Sequence, residues 1–161
     1  MDKYFMHRIK KENGTFTTGI EVHDTKASAV RSFHGYMKQG YGNPNFPNIT
    51  FVACFVEDSD GNIVPEYNAM WQREGIEAEN KIFFHHTRLE NGTFSKNIDV
   101  LDNTADAEYQ FHAEMEYGYE NPNHPNVEYQ SCMVTEMASK ILLMHEAWVK
   151  TAEPSSESTE G

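Results

Sequence analysis

The chain repeats itself. Residues 5–58 align with 83–136 at a constant offset of 78, without insertion, and 24 of the 54 paired positions are identical. Glu12-Asn13-Gly14-Thr15-Phe16 returns as Glu90-Asn91-Gly92-Thr93-Phe94, and Asn43-Pro44-Asn45 with Pro47-Asn48 returns as Asn121-Pro122-Asn123 with Pro125-Asn126. Two long copies do not make a solenoid, which stacks three or more short units. They are expected to form two similar modules packed about a pseudo-twofold axis.

Each copy reads the same way locally. Residues 4–11 look like a strand, and Asn13-Gly14 is a hairpin signal because both turn positions favour positive φ. Phe16, Thr18, Ile20 and Val22 alternate with the period of a half-buried strand. Asp24 or Thr25 is placed to cap a helix whose apolar face is Ala27, Val30, Phe33 or His34, and Met37, with Gly40 as its stop. The loop Asn43–Asn48 holds two prolines, which fix φ and remove two donors. Strands follow over 49–57 and 63–71, separated by a turn at Asp58–Asn62. The second copy has strands near 82–89, 94–101, 127–136 and 141–149 and a helix near 103–117. A strand is preferred over a helix for 141–149 because its counterpart contains Pro65 and also ends in Trp. The fold class is therefore α+β: two tandem ββαββ repeats, their helices packed on antiparallel sheets through Ala27, Phe33, Met37 and Ala105, Phe111, Met115. The repeats are placed at 1–73 and 81–150, with 74–80 as linker and 151–161 as a disordered tail.

Charge separates the copies. The net charge is −12, yet residues 1–73 hold 8 Lys+Arg against 8 Asp+Glu, leaving 5 against 17 for the rest. Lys26, Ser28, Val30, Tyr36, Lys38 and Gly42 become Thr104, Asp106, Glu108, Glu114, Glu116 and Glu120. A single-sign surface either solvates a face or steers a partner. The acidic balance argues against direct binding of nucleic acid, which runs on Lys and Arg. No apolar run reaches membrane-spanning length, and the first residues lack a signal-peptide core, so the reading is a cytoplasmic protein without membrane contact.

Chemistry-bearing patterns are few. His7/His85, His34/His112 and the adjacent His85-His86 lack ligand spacing and read as structural, so no metal and no cofactor is expected. Asp58-x-Asp60-Gly61 lacks the distal ligands of a calcium loop and reads as a turn, and Gly40-x-Gly42 does not open a helix after a strand. Cys54 and Cys132 read as buried free thiols. No nucleophile, phosphate-loop or zinc-protease motif occurs, and no acid–base pair stands out, so an enzyme is not expected.

The Met6-His7-Arg8-Ile9-Lys10 opening, the Asn-Gly-Thr-Phe hairpin, Gly19–Asp24 and the Asn-Pro-Asn-x-Pro loop resemble small acidic proteins from phage and mobile-element regions of anaerobic gut bacteria. The resemblance covers roughly residues 4–150. It implies a setting in which small proteins block host machinery, and it transfers no site residue. Two functions follow. The first is an inhibitor or regulator that presents Glu108, Glu114, Glu116, Glu120 and Glu128 as a nucleic-acid-like surface to a basic host protein such as a nuclease. The alternative is a binding module for a small, nucleotide-like ligand, with His34, Tyr41 and Asn43 paired with His112, Tyr119 and Asn121 around a pocket between the repeats.

Overall fold

A computed structural model describes residues 2–76, 79–137 and 142–151 of the chain. Strands β1 (Tyr4–Glu12) and β2 (Thr15–His23) form a hairpin. Its turn residues Asn13 and Gly14 have φ of 55° and 78°, the left-handed pair that matches the twist of the flanking strands. Helix α1 (Lys26–Met37) begins where the Thr25 hydroxyl accepts from the Ser28 N–H at 3.1 Å. Strands β3 (Ile49–Asp58) and β4 (Ile63–Gln72) follow, joined by a turn in which Asp58 Oδ1 accepts from the N–H groups of Asp60 and Asn62. The same order then recurs: β5 (Ile82–Glu90), β6 (Thr93–Leu101), α2 (Thr104–Met115, capped by Asn103), β7 (Val127–Glu136) and β8 (Leu142–Val149). Asn91 and Gly92 repeat the hairpin turn at 54° and 77°.

The strands make two four-stranded antiparallel sheets, ordered β2-β1-β3-β4 and β6-β5-β7-β8. Their registers correspond, with Phe5 opposite Val22 in one and Phe83 opposite Val100 in the other. Because successive side chains point to opposite faces, each central strand serves two layers. Phe5 and Ile9 of β1, Phe51 of β3, Phe83 of β5 and Tyr129 of β7 meet in one core between the sheets, where the Phe5 and Tyr129 rings stack at 5.5 Å. Met6, Val52, Cys54 and Val56 face outward onto α1, and Phe84, Cys132 and Val134 onto α2. The layers run helix, sheet, sheet, helix. The Thr18 hydroxyl donates to the Ile98 carbonyl at 3.0 Å, tying edge strands β2 and β6 together.

Two local expectations change. Ala27 and Ala105 are exposed, and Ala29 and Ala107 are buried with Phe33, Met37, Phe111 and Met115. Positions 29, 33 and 37 are spaced by four and share a face, whereas Ala27 lies half a turn round from Ala29. Gly40 does not supply the left-handed residue. That conformation falls at Tyr41 and Gly42, with φ of 59° and 70°. Gly40 is needed for close approach, since a Cβ there would sit 2.8 Å from Trp71 Cε3. Gly118 stands likewise against Trp148, at 3.0 Å. The segment Leu142–Val149 is a strand, as expected. Of the expected tail 151–161, residues 152–161 lie outside the described residues. Among the described residues no helix is long and apolar enough to cross a membrane.

Candidate functional site

His7 and His85 stand at the same offset of 78 on the central strands β1 and β5, each on the face turned toward the other sheet. Their Nδ1 atoms are 3.1 Å apart, and both residues are 1% exposed. Each ring uses its second nitrogen on the residue 50 positions ahead: His7 Nε2 meets Glu57 Oε1 at 2.9 Å, and His85 Nε2 meets Thr135 Oγ1 at 2.9 Å. The repeat thus preserves a histidine and its partner position, but the partner is a carboxylate in one copy and a hydroxyl in the other.

Glu57 is fully buried. Burial alone raises its pKa, but hydrogen bonds from His145 and His7 outweigh it and hold the carboxyl at about 2. Its second oxygen accepts from Ser131 Oγ at 2.9 Å and from His145 Nε2 at 3.1 Å. A buried carboxylate persists only when paired and hydrogen-bonded in this way. An ionised carboxylate only accepts, so both facing imidazole Nε2 atoms carry protons. His85 is held well below its ordinary value, chiefly by burial, and is uncharged. Burial pushes the Cys54 thiol up to about 12 and the Cys132 thiol upward as well, which leaves neither as a nucleophile.

Beside this network a cleft of about 250 Å³ opens between the sheets. Its apolar wall includes Ile9, Phe51, Ala53, Phe55, Met70 and Phe83, and its polar lining is His7, Thr135, Glu136 and the exposed Asn68. The corresponding positions in the second copy are filled differently. Phe51, Ala53, Phe55 and Glu57 correspond to Tyr129, Ser131, Met133 and Thr135. Asn68 pairs with Phe55 across β3–β4, as His145 pairs with Met133 across β7–β8. Where the first sheet has Ala53 and Asn68, the second has Ser131 and His145, and both of these bond to the Glu57 that crosses over from β3.

The residues singled out from sequence lie elsewhere. His34 and His112 are exposed on α1 and α2, which lie on opposite outer layers. Each packs edge-on against its own helix's Phe33 or Phe111. Tyr41 and Tyr119 lean on Trp71 and Trp148. Asn43 and Asn121 brace their loops by donating to the carbonyls of Lys38 and Glu116 and accepting from the N–H groups of Asn45 and Asn123. These six residues do not meet around one pocket, and none lines the cleft. Of the five glutamates, Glu108, Glu116, Glu120 and Glu128 are exposed. Glu120 and Glu128 share an open depression with Lys150. Glu114 turns inward instead, bonding Arg88 at 2.5 Å and facing His86 at 3.1 Å. In the first copy that position is Tyr36, with Arg8 stacked 4.5 Å from its ring centre.

The residues that sequence reasoning missed did leave a signal. Glu57 has the parity of Phe51, Ala53 and Phe55 on a strand buried on both faces, so a charge there requires a buried partner. Among the described residues no group of three or more His, Cys, Asp or Glu is arranged to hold a metal ion. No family model matches the chain, and searches of curated proteins and of solved structures return no match.

Proposed function

We propose that this chain is a non-catalytic binding module for a small molecule held in the cleft between its two sheets. In this reading the ββαββ units are related by a pseudo-twofold axis passing between His7 and His85, a relation supported by the 3.1 Å contact of these equivalent residues. The observation that carries the proposal is the mismatch at equivalent positions. Ala53, Asn68 and Thr135 are smaller than, or differently bonded from, Ser131, His145 and Glu57, and a cavity lies where they meet. A largely apolar cavity with a few convergent polar groups is the usual form of a ligand site. The saturated Glu57 and the raised thiols favour binding over catalysis. Native mass spectrometry of the protein after incubation with a metabolite extract tests this. A discrete small-molecule adduct should appear, and Ala53→Phe, which fills the cleft, should abolish it. An adduct that survives Ala53→Phe, or no adduct at all, contradicts the proposal.

One observation keeps a second reading in play. Glu108 on α2, Glu116 and Glu120 just beyond it and Glu128 on β7 are exposed, as is Tyr109 of α2 at 76%, where the first copy is not acidic. That surface suits an inhibitor of a basic host protein in a phage or mobile-element setting, acting in the cytoplasm, with a nuclease as the partner class. Retention of a nuclease on immobilised protein, lost on Glu→Gln at these four positions and competed by free DNA, would favour it. Retention unchanged by the substitutions would remove it.

A further inference from the structure

The chemistry of the cleft narrows the ligand, given that the cleft is a binding site as proposed above. Among the described residues that line it none is Lys or Arg. An anion entering there would give up hydration with no cation among those residues to replace it, against a chain of net charge −12. A phosphate-bearing ligand, and so a nucleotide, does not fit. Size sets the next limit. An apolar cavity of roughly 150 Å³ accommodates benzene, so about 250 Å³ has room for one or two fused rings.

The polar end of the ligand is set by Thr135. Its hydroxyl is the last member of a chain running Glu57–His7–His85–Thr135. The two Nδ1 atoms share one proton, so the chain runs in one of two directions. In one, His85 Nε2 accepts from the Thr135 hydroxyl. In the other, His85 Nε2 donates to the Thr135 oxygen. A hydroxyl has one proton and two lone pairs. In both directions the Thr135 oxygen keeps a lone pair for a ligand, whereas its proton is available in only one. A ligand that donates is therefore satisfied whichever way the chain points. We propose that the cleft binds a one- or two-ring, mainly apolar molecule that carries no negative charge and gives an N–H or O–H to Thr135.

The probes are indole, 1-benzothiophene, which matches its shape without the N–H, and indole-5-carboxylate, each titrated into the full chain by ¹H–¹⁵N NMR. Indole should bind and shift the amides of residues around the cleft. Benzothiophene should bind about fivefold more weakly, the worth of one net hydrogen bond. The carboxylate should be at least about tenfold weaker than indole, as expected for an anion without a cation. Thr135→Val should erase the indole-to-benzothiophene ratio and Thr135→Ser should keep it. Because the ratio is taken within one variant, it is insensitive to any loss of stability. A carboxylate that binds as well as indole overturns the charge class, and a ratio unchanged in Thr135→Val overturns the role of Thr135. Binding that appears only after removal of residues 152–161 makes the tail the occupant and overturns the inference. If none of the three compounds shifts the cleft residues, the cleft reading itself falls, and the inference with it.

Discussion

The two halves of the inter-sheet core share strand order and register but spend their equivalent positions differently. On one side Glu57, Ser131 and His145 close a polar network in which the carboxylate takes three hydrogen bonds. On the other, Thr135, Ala53 and Asn68 leave a cleft. The buried faces of the helices diverge less: Ala29, Phe33 and Met37 are matched residue for residue by Ala107, Phe111 and Met115, although the sheet under α2 has Gln130 where α1 meets Val52. The contrast teaches that the apolar stripe of each helix is held constant, while the sheet–sheet interface tolerates exchange of a charge for a cavity. Such exchange is possible because a buried ion network is not a large net source of stability, although breaking it is costly.

That asymmetry can be broken in graded steps. Glu57→Gln leaves three donors facing an amide that offers one accepting oxygen, and should cost about 3–5 kcal/mol in urea unfolding. A loss below about 1 kcal/mol would mean that the network is not formed. On the matched outer layers, Phe33→Ala and Phe111→Ala should each cost about 3–5 kcal/mol and differ little from one another. A large difference would break the equivalence of the helix interfaces. Acid should weaken the fold in two stages. His85 is uncharged when folded, while the unfolded chain takes up a proton near its ordinary value of 6.5. Stability from this source is complete above that pH and falls below it, by at most about 1.4 kcal/mol per pH unit. Glu57 acts in the same direction lower down, losing its contribution as pH drops from its ordinary 4.5 through about 2. A urea midpoint unchanged between about pH 7.5 and 5.5 would contradict the buried neutral His85. The smallest effects belong to the surface. Glu108, Glu116, Glu120 and Glu128 changed singly to Gln should each shift stability by about 0.5 kcal/mol or less, while Glu114→Gln, which loosens the pair with Arg88, should cost more.

What was legible from the chain was local. Asn-Gly turns, alternating strands and capped helices are written in neighbouring residues, and the repeat lets each copy check the other, with Trp148 near the end of β8 where Trp71 stands near the end of β4. Ala27 is not separable from Ala29 by sequence because a short helix with small residues at 27 and 29 offers two apolar stripes, and only the sheet beneath decides between them. The site was harder to see because its members come from β1, β3, β5, β7 and β8 and meet only when two sheets face one another. The pairing of His7 with His85 was visible as a repeat, but not as a contact. The parity of Glu57 was a readable clue that pointed to a buried partner without saying which.

The most direct test is the diffraction of crystals of this protein under xenon pressure, because xenon enters dry apolar cavities. One xenon site is expected against Ala53, Phe55 and Met70, and none at the equivalent place occupied by Ser131, Met133 and His145. Xenon at both places, or at neither, would show that the two halves are alike and would contradict the cleft as the feature that distinguishes them.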